Sequence, residues 1–225
     1  MQPKGVIMRK IVVIAAVAVT ACLVLGLTGC SKKTQQEGPE VLGGWTRTAS
    51  PAVTSEVQAL MDKALEGFTG AMYKPVAYVA TQVVSGKNHL LLCTVSSVAT
   101  DAKATYAMVT LYEDLQGNVT ISDVKKSELD VPPAGLMGGW QAPESVEVDV
   151  DLEAAFEKAS EGWTGSAITP VALVGTQVVA GMNYRVLCTV APVESGAQAH
   201  WALVTLYKDL QGGCTFSDIV NFATE

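Results

Sequence analysis

Histidine is nearly missing from this chain, with two in 225 residues. No recognisable motif holds a cysteine beside either one, so a Cys-His catalytic pair has little to be built from. Phosphate-cradling loops and clustered metal-ligand spacings are absent as well. Neither an enzyme nor a cofactor or metal is expected. Charge is also scarce, at 16% of residues with a net of -7, and no Lys/Arg stripe runs along any segment. An acidic chain without a basic face cannot release counterions from phosphates, which excludes nucleic acid as the main partner.

What the chain has instead is a sequence written twice. Thr81-Gln82-Val83-Val84-Ser85-Gly86 returns 95 residues later as Thr176-Gln177-Val178-Val179-Ala180-Gly181. Around it the unit opens on Gly43-Gly44-Trp45 and on Gly138-Gly139-Trp140, then passes through Pro75-Val76-Ala77 and Pro170-Val171-Ala172. It closes on Thr110-Leu111-Tyr112 with Asp114-Leu115-Gln116-Gly117, and on Thr205-Leu206-Tyr207 with Asp209-Leu210-Gln211-Gly212. About half of the aligned positions are identical without a gap. Two copies are too few for a solenoid, whose units share their cores. At roughly 90 residues each lies at the small but viable end for a domain, so each is expected to close a core of its own.

The first thirty residues read as a targeting segment. Lys4, Arg9 and Lys10 form a basic start, and Ile11 to Gly29 is an uncharged apolar run. It ends in Leu27-Thr28-Gly29-Cys30, which resembles the bacterial lipobox and implies lipidation of Cys30. That reading is favoured over an uncleaved membrane helix, and either one puts the repeats outside the cytoplasm. Residues 31–40 are a polar tether. The first repeat then covers 41–125, a linker with Pro132-Pro133 covers 126–135, and the second repeat covers 136–225. Once Cys22 and Cys30 are set aside, Cys93, Cys188 and Cys214 remain, an odd number that supports no disulfide framework. Cys93 and Cys188 match in the repeat and read as small buried apolar side chains; Cys214 reads as a free thiol.

Within a repeat, Val57, Leu60, Met61, Ala64 and Leu65 are spaced for a helix with one buried face over Ser55 to Leu65. Ser55 with Gln58 suggests a capping box, and Gly67 an end. Leu152, Ala155, Phe156 and Ala159 repeat the pattern. The rest has strand chemistry, over about 76–84, 89–96, 104–112 and 119–124. Ala107, Val109 and Leu111 share one strand face, with Tyr106, Met108, Thr110 and Tyr112 on the other. A sheet apolar on one face needs a cover, and one helix is at hand. The expected class is α+β: two tandem domains, each an antiparallel sheet wrapped around one helix. Trp45 and Trp140 are expected to cap the apolar face between helix and sheet. His89 and His200, at non-equivalent places in the repeat, are expected at the surface or an edge.

An early Gly-Gly, a helix, a Gln-x-Val-x-Gly run and a later Leu-x-Gly turn, in that order and twice, resemble a cystatin. The absence of disulfides is most similar to the stefin type, and Asn88 and Asn183 stand where stefins often carry Asn. The resemblance spans both repeats. It implies reversible, non-covalent inhibition of papain-like cysteine proteases, with three elements entering the cleft as a wedge. In the first repeat these are Leu42 and Gly43, then Gln82, Val83, Val84, Ser85 and Gly86, then Leu115, Gln116 and Gly117. In the second they are Met137 and Gly138, then Gln177, Val178, Val179, Ala180 and Gly181, then Leu210, Gln211 and Gly212. Leu42 and Met137 would fill an apolar subsite, rigid valines would be buried at low entropy cost, and glycine would bring the chain close to its partner. One protease on each repeat would make two per chain, with a lipid anchor in a cell or outer membrane. The second turn departs from the family, which commonly presents Pro-Trp or Leu-Pro-Gly there. A cystatin-like surface module that binds or scaffolds without inhibiting is the second reading.

Overall fold

The computed structural model describes residues 44–98, 103–132 and 138–222. The targeting segment with Cys30, the tether, and Leu42, Gly43 and Met137 lie outside the described residues. Among the described residues no helix is long and apolar enough to cross a membrane.

The first repeat contributes β1 (Trp45–Arg47), α1 (Ser55–Ala64), β2 (Ala71–Val84), β3 (Gly86–Ser97), β4 (Thr105–Glu113) and β5 (Val119–Asp130). These strands form one antiparallel sheet in sequence order. The second repeat contributes α2 (Val150–Ala159), β6 (Ser166–Val179), β7 (Gly181–Pro192), β8 (His200–Lys208) and β9 (Cys214–Asn221), again in order. Among the described residues no strand matches β1 here; the bridge Gln141 to Thr176 stands in its place. β5 runs through Lys126 to Asp130, so it takes in the first residues of the expected linker.

Local chemistry accounts for each element. Thr54, one residue before the expected cap, has an extended backbone and its hydroxyl accepts from the Val57 amide at 3.4 Å, because Ser55 is already helical. Asp149 caps α2 in the same way at 2.8 Å, satisfying a donor that the first helical turn leaves free. Pro75 and Pro170 lie inside long strands, where a missing N–H would break a ladder. Each is followed by a register shift, Pro75/Ala77 and Pro170/Ala172, and such bulges bend a strand rather than end it.

The α+β expectation is overturned, since the protein is mainly β. Each helix has only 10 residues. Among the described residues, helices supply five buried hydrophobic side chains, Val57, Met61, Leu152, Ala155 and Phe156, and strands supply most of the rest. The helices do pack on their sheets, α1 against Leu91, Cys93, Val109 and Leu111 and α2 against Val186, Cys188, Val204 and Leu206. A third core, however, contains no helix. It joins Leu90, Leu92, Tyr106 and Met108 of one repeat to Val171, Val174, Leu187 and Leu203 of the other. Strand side chains alternate, and here both faces are apolar, so two sheets packed face to face bury what the short helices cannot cover. The repeats therefore share this third core within one compact unit, in addition to the core that each closes beneath its own helix.

The sheets run in opposite directions. β5 and β9 each begin at a hairpin and run away from it, and their far ends meet at the antiparallel bridge Ser127 to Phe222. Arg47, close to the β2–β3 turn, donates to the carbonyl of Pro170, far from the β6–β7 turn, at 2.7 Å. At the other end Tyr106, where β4 starts, meets Arg185, close to the β6–β7 turn. The β2–β3 end of one repeat thus lies opposite the β6–β7 end of the other.

Candidate functional site

Antiparallel order places the β2–β3 and β4–β5 turns at the same end of the first sheet. β1 adds the third element, because Trp45 pairs with Gln82 and so brings Gly44 to that end. In the second repeat Gln141 bonds Thr176 in both directions at 2.7 and 2.9 Å, and the Gln177 amide donates to the carbonyl of Gly138 at 2.9 Å. Gly138, Gln177 to Gly181 and Leu210 to Gly212 therefore sit together, as do Gly44, Gln82 to Gly86 and Leu115 to Gly117.

The first turn of each rim is tight, with Val84 paired to Gly86 and Val179 to Gly181. The hydroxyl of Tyr112 donates to the carbonyl of Ser85 at 2.5 Å, and that of Tyr207 to Ala180 at 2.5 Å. A side chain from β4 or β8 thus ties each first turn to the strand that enters the second. Gly86 and Gly181 have φ of +119° and +131°, and a Cβ on either would collide with the carbonyl oxygen of Glu113 or Lys208. The close approach that these glycines permit is to the neighbouring strand. Asn88 and Asn183 donate to the side-chain oxygens of Gln82 and Gln177 at 2.7 and 2.9 Å. In the second repeat the motif glutamine, fixed in this way, anchors the diglycine arm.

An aspartate organises each second turn. Asp114 Oδ1 accepts from the amides of Gln116 and Asn118 at 2.8 and 2.9 Å, and Asp209 Oδ1 from Gln211 and Gly213 at 2.8 Å each. Hydrogen bonding, foremost from the Asn118 side chain, holds the Asp114 carboxyl below its usual range. Lys158 of α2 adds a bond to the Gly212 carbonyl at 2.8 Å. Both turns are thus shaped before any partner arrives, and their apolar tips are bare: Leu115 and Leu210 are each 78% exposed, and Val178 is 67% exposed. Val84 and Val179 are exposed beside them. Val83, Gln82, Gly86, Gln177 and Gly181 are half-buried, and Ser85, Gln116, Ala180 and Gln211 are exposed.

Trp45 does not cap the apolar face. It is 44% exposed beside Gln82 at the rim, a bare aromatic side chain whose sequence signal was its place after the diglycine. Trp140 is turned inward instead, over Arg185. His89 is buried rather than at an edge, bonded through Nδ1 to the Tyr78 hydroxyl at 2.8 Å and through Nε2 to Glu113 at 3.1 Å. It alternates with Leu91 and Cys93 on the helix-facing side, which the isolated histidine code did not reveal. Cys93 and Cys188 are fully buried and unpaired. Burial pushes the Cys93 thiol up to about 12 and the Cys188 thiol up as well, so neither supplies a thiolate nucleophile. Cys214 is a free, partly buried thiol donating to the Gly212 carbonyl.

No protein-family model matches the chain, and no curated protein matches it.

Proposed function

We propose that the protein is an extracytoplasmic, lipid-anchored inhibitor of papain-like cysteine proteases, cystatin-like in each repeat, that plugs the active-site cleft without a covalent step. The observation carrying this reading is that Gly44 in one repeat and Gly138 in the other share one end of the sheet with two apolar-tipped turns, a convergence that an ordinary hairpin pair does not need. Hydrogen bonds within the turns leave little ordering to oppose association. An interface of about 800 Å² per partner is enough for tight binding when the anchors are apolar and rigid. Wedge insertion needs no metal, cofactor or nucleophile.

Because the sheets are stacked in opposite directions, the two rims point away from each other. A 14-residue strand spans roughly 45 Å at about 3.3 Å per residue, so a globular protease on one rim does not block the other. The chain is expected to titrate two equivalents of papain. The second reading, a module that binds without inhibiting, draws on the leucine that replaces an aromatic residue at the Leu115 and Leu210 turns.

The test is titration of papain with the full chain in mild detergent, followed by aspartate substitution at exposed positions. Val84→Asp with Leu115→Asp should abolish one equivalent, and Val178→Asp with Leu210→Asp the other, with melting unchanged because these side chains touch solvent. No inhibition by the unaltered chain at micromolar concentration would reject inhibition and leave the binding module.

A further inference from the structure

Trp45 and Trp140 hold the same place in the repeat and meet opposite surroundings. Trp45 is held by the backbone pairing of β1 and stands exposed. Trp140 lies on the guanidinium of Arg185, whose central carbon is 4.1 Å from the indole ring and 6.0 Å from the ring of Tyr106 in the other repeat. Two residue differences make this possible. Arg185 stands where the first repeat has Leu90, and Gly175 where it has Ala80. A Cβ on Gly175 would come to 3.2 Å from Trp140 Cε3, so the glycine makes room for the indole.

Arg185 is an expensive residue for this location. It is 6% exposed, and its Nε and Nη1 have no hydrogen-bond partner. Among the described residues it forms no ion pair. A buried cation without a counter-charge opposes folding, and contact with π faces recovers only part of that cost. Among the described residues the second repeat has no counterpart of β1, and its diglycine arm is joined to β6 by the Gln141–Thr176 bridge and by the Gln177 bond to Gly138.

We propose that Arg185 is a positioning residue: by stacking on Trp140 and reaching Tyr106 it fixes the Gly138 to Gln141 arm against the second rim, so that one repeat's contact surface is held in shape by a side chain of the other. Its consequence for partner binding rests on the inhibitor reading of the rim, whereas its consequence for the arm does not.

The experiment uses the full chain with the first rim silenced by Val84→Asp and Leu115→Asp. Into it is placed Arg185→Leu, the first repeat's own residue. Melting should stay at or above that of the parent, since a buried charge is removed. Amide hydrogen exchange at Gln141 and Thr176, whose amides close the bridge, should rise at least tenfold, and papain should leave the second rim about tenfold faster. Arg185→Lys, which keeps the charge without the planar stack, should fall between. Tyr106→Leu, in the other repeat, should raise the same exchange rates. Unchanged exchange in Arg185→Leu overturns the clamp whether or not papain binds, and unchanged exchange in Tyr106→Leu overturns its reach across the repeats. Raised exchange with unchanged papain dissociation overturns the link to the contact surface. Failure of the parent to bind papain at all rejects the inhibitor reading, and the exchange rates then judge the clamp alone.

Discussion

Replacing Gly181 with alanine separates two uses of a motif glycine, closeness to a partner and closeness to the chain itself. At φ +131° the backbone occupies a region that costs a side-chain-bearing residue about 1–3 kcal/mol. The new methyl would also press on the Lys208 carbonyl and come to 3.1 Å from Tyr207 Cε2, forcing the turn off β8 and straining the Tyr207 bond to Ala180. Adding about 1 kcal/mol for that lost bond gives a total of about 2–4 kcal/mol. For a chain of this size each kcal/mol lowers Tm by about 2–4 °C, so Gly181→Ala should melt about 4–16 °C lower. Gly212→Ala is the control. Its φ is +84° and nothing lies within 4 Å of the added carbon, so it bears backbone strain alone, about 1–3 kcal/mol, and should melt about 2–12 °C lower, less than Gly181→Ala. Thermal melts by circular dichroism decide the matter. If Gly181→Ala melts within 2 °C of the parent, or no lower than Gly212→Ala, the glycine is not holding the two turns together and the account of the rim's shape is wrong.

Leu187, fully buried in the layer between the sheets, should cost about 2–5 kcal/mol when cut to alanine. Because that layer belongs to both repeats, Trp45 and Trp163 fluorescence should report one shared and lowered transition, and two separated transitions would show that the repeats fold independently. Burial holds His89 below the usual imidazole range, with Glu113 pulling the other way and Lys87 reinforcing the lowering. The unfolded chain, near 6.5, therefore takes up the proton first. Stability should be complete above about pH 6.5 and fall as the pH drops from there toward the folded value. His89→Tyr, which matches Tyr184 of the other repeat, should flatten the Tm slope between about pH 7 and 5, and an unchanged slope would assign it to other groups. Acid effects on the Asp114 turn belong to a separate window, starting near the ordinary carboxylate range of about 4.

Much of the local structure was legible in the code. The 3.6-residue spacing of Val57, Met61 and Ala64 located α1, and the alternation of Ala107, Val109 and Leu111 named the side of β4 that faces it. The Leu-x-Gly strings marked the second turns, while the amides that Asp114 and Asp209 collect there came from the structure. Less legible was anything that depended on a distant neighbour. Tyr106 and Met108 read as the far side of a strand covered on one face, and nothing local to them says that Leu203 packs there. His89 carried no mark of the Tyr78 and Glu113 that surround it, and Trp45 and Trp140 looked alike.

Sequence alone determined that one unit is written twice, where its helix and four of its strands lie to within a few residues, and which turns carry glycine and aspartate, but neither β1 nor the far end of β5. These follow from backbone preferences and periodicity, which act over a few residues. Only the tertiary structure decided that two apolar sheet faces cover each other, that the sheets run in opposite directions, and that Arg185 lies buried beneath Trp140. Those outcomes depend on which surface is available to exclude water from a given face, and residues far away in the chain supply it.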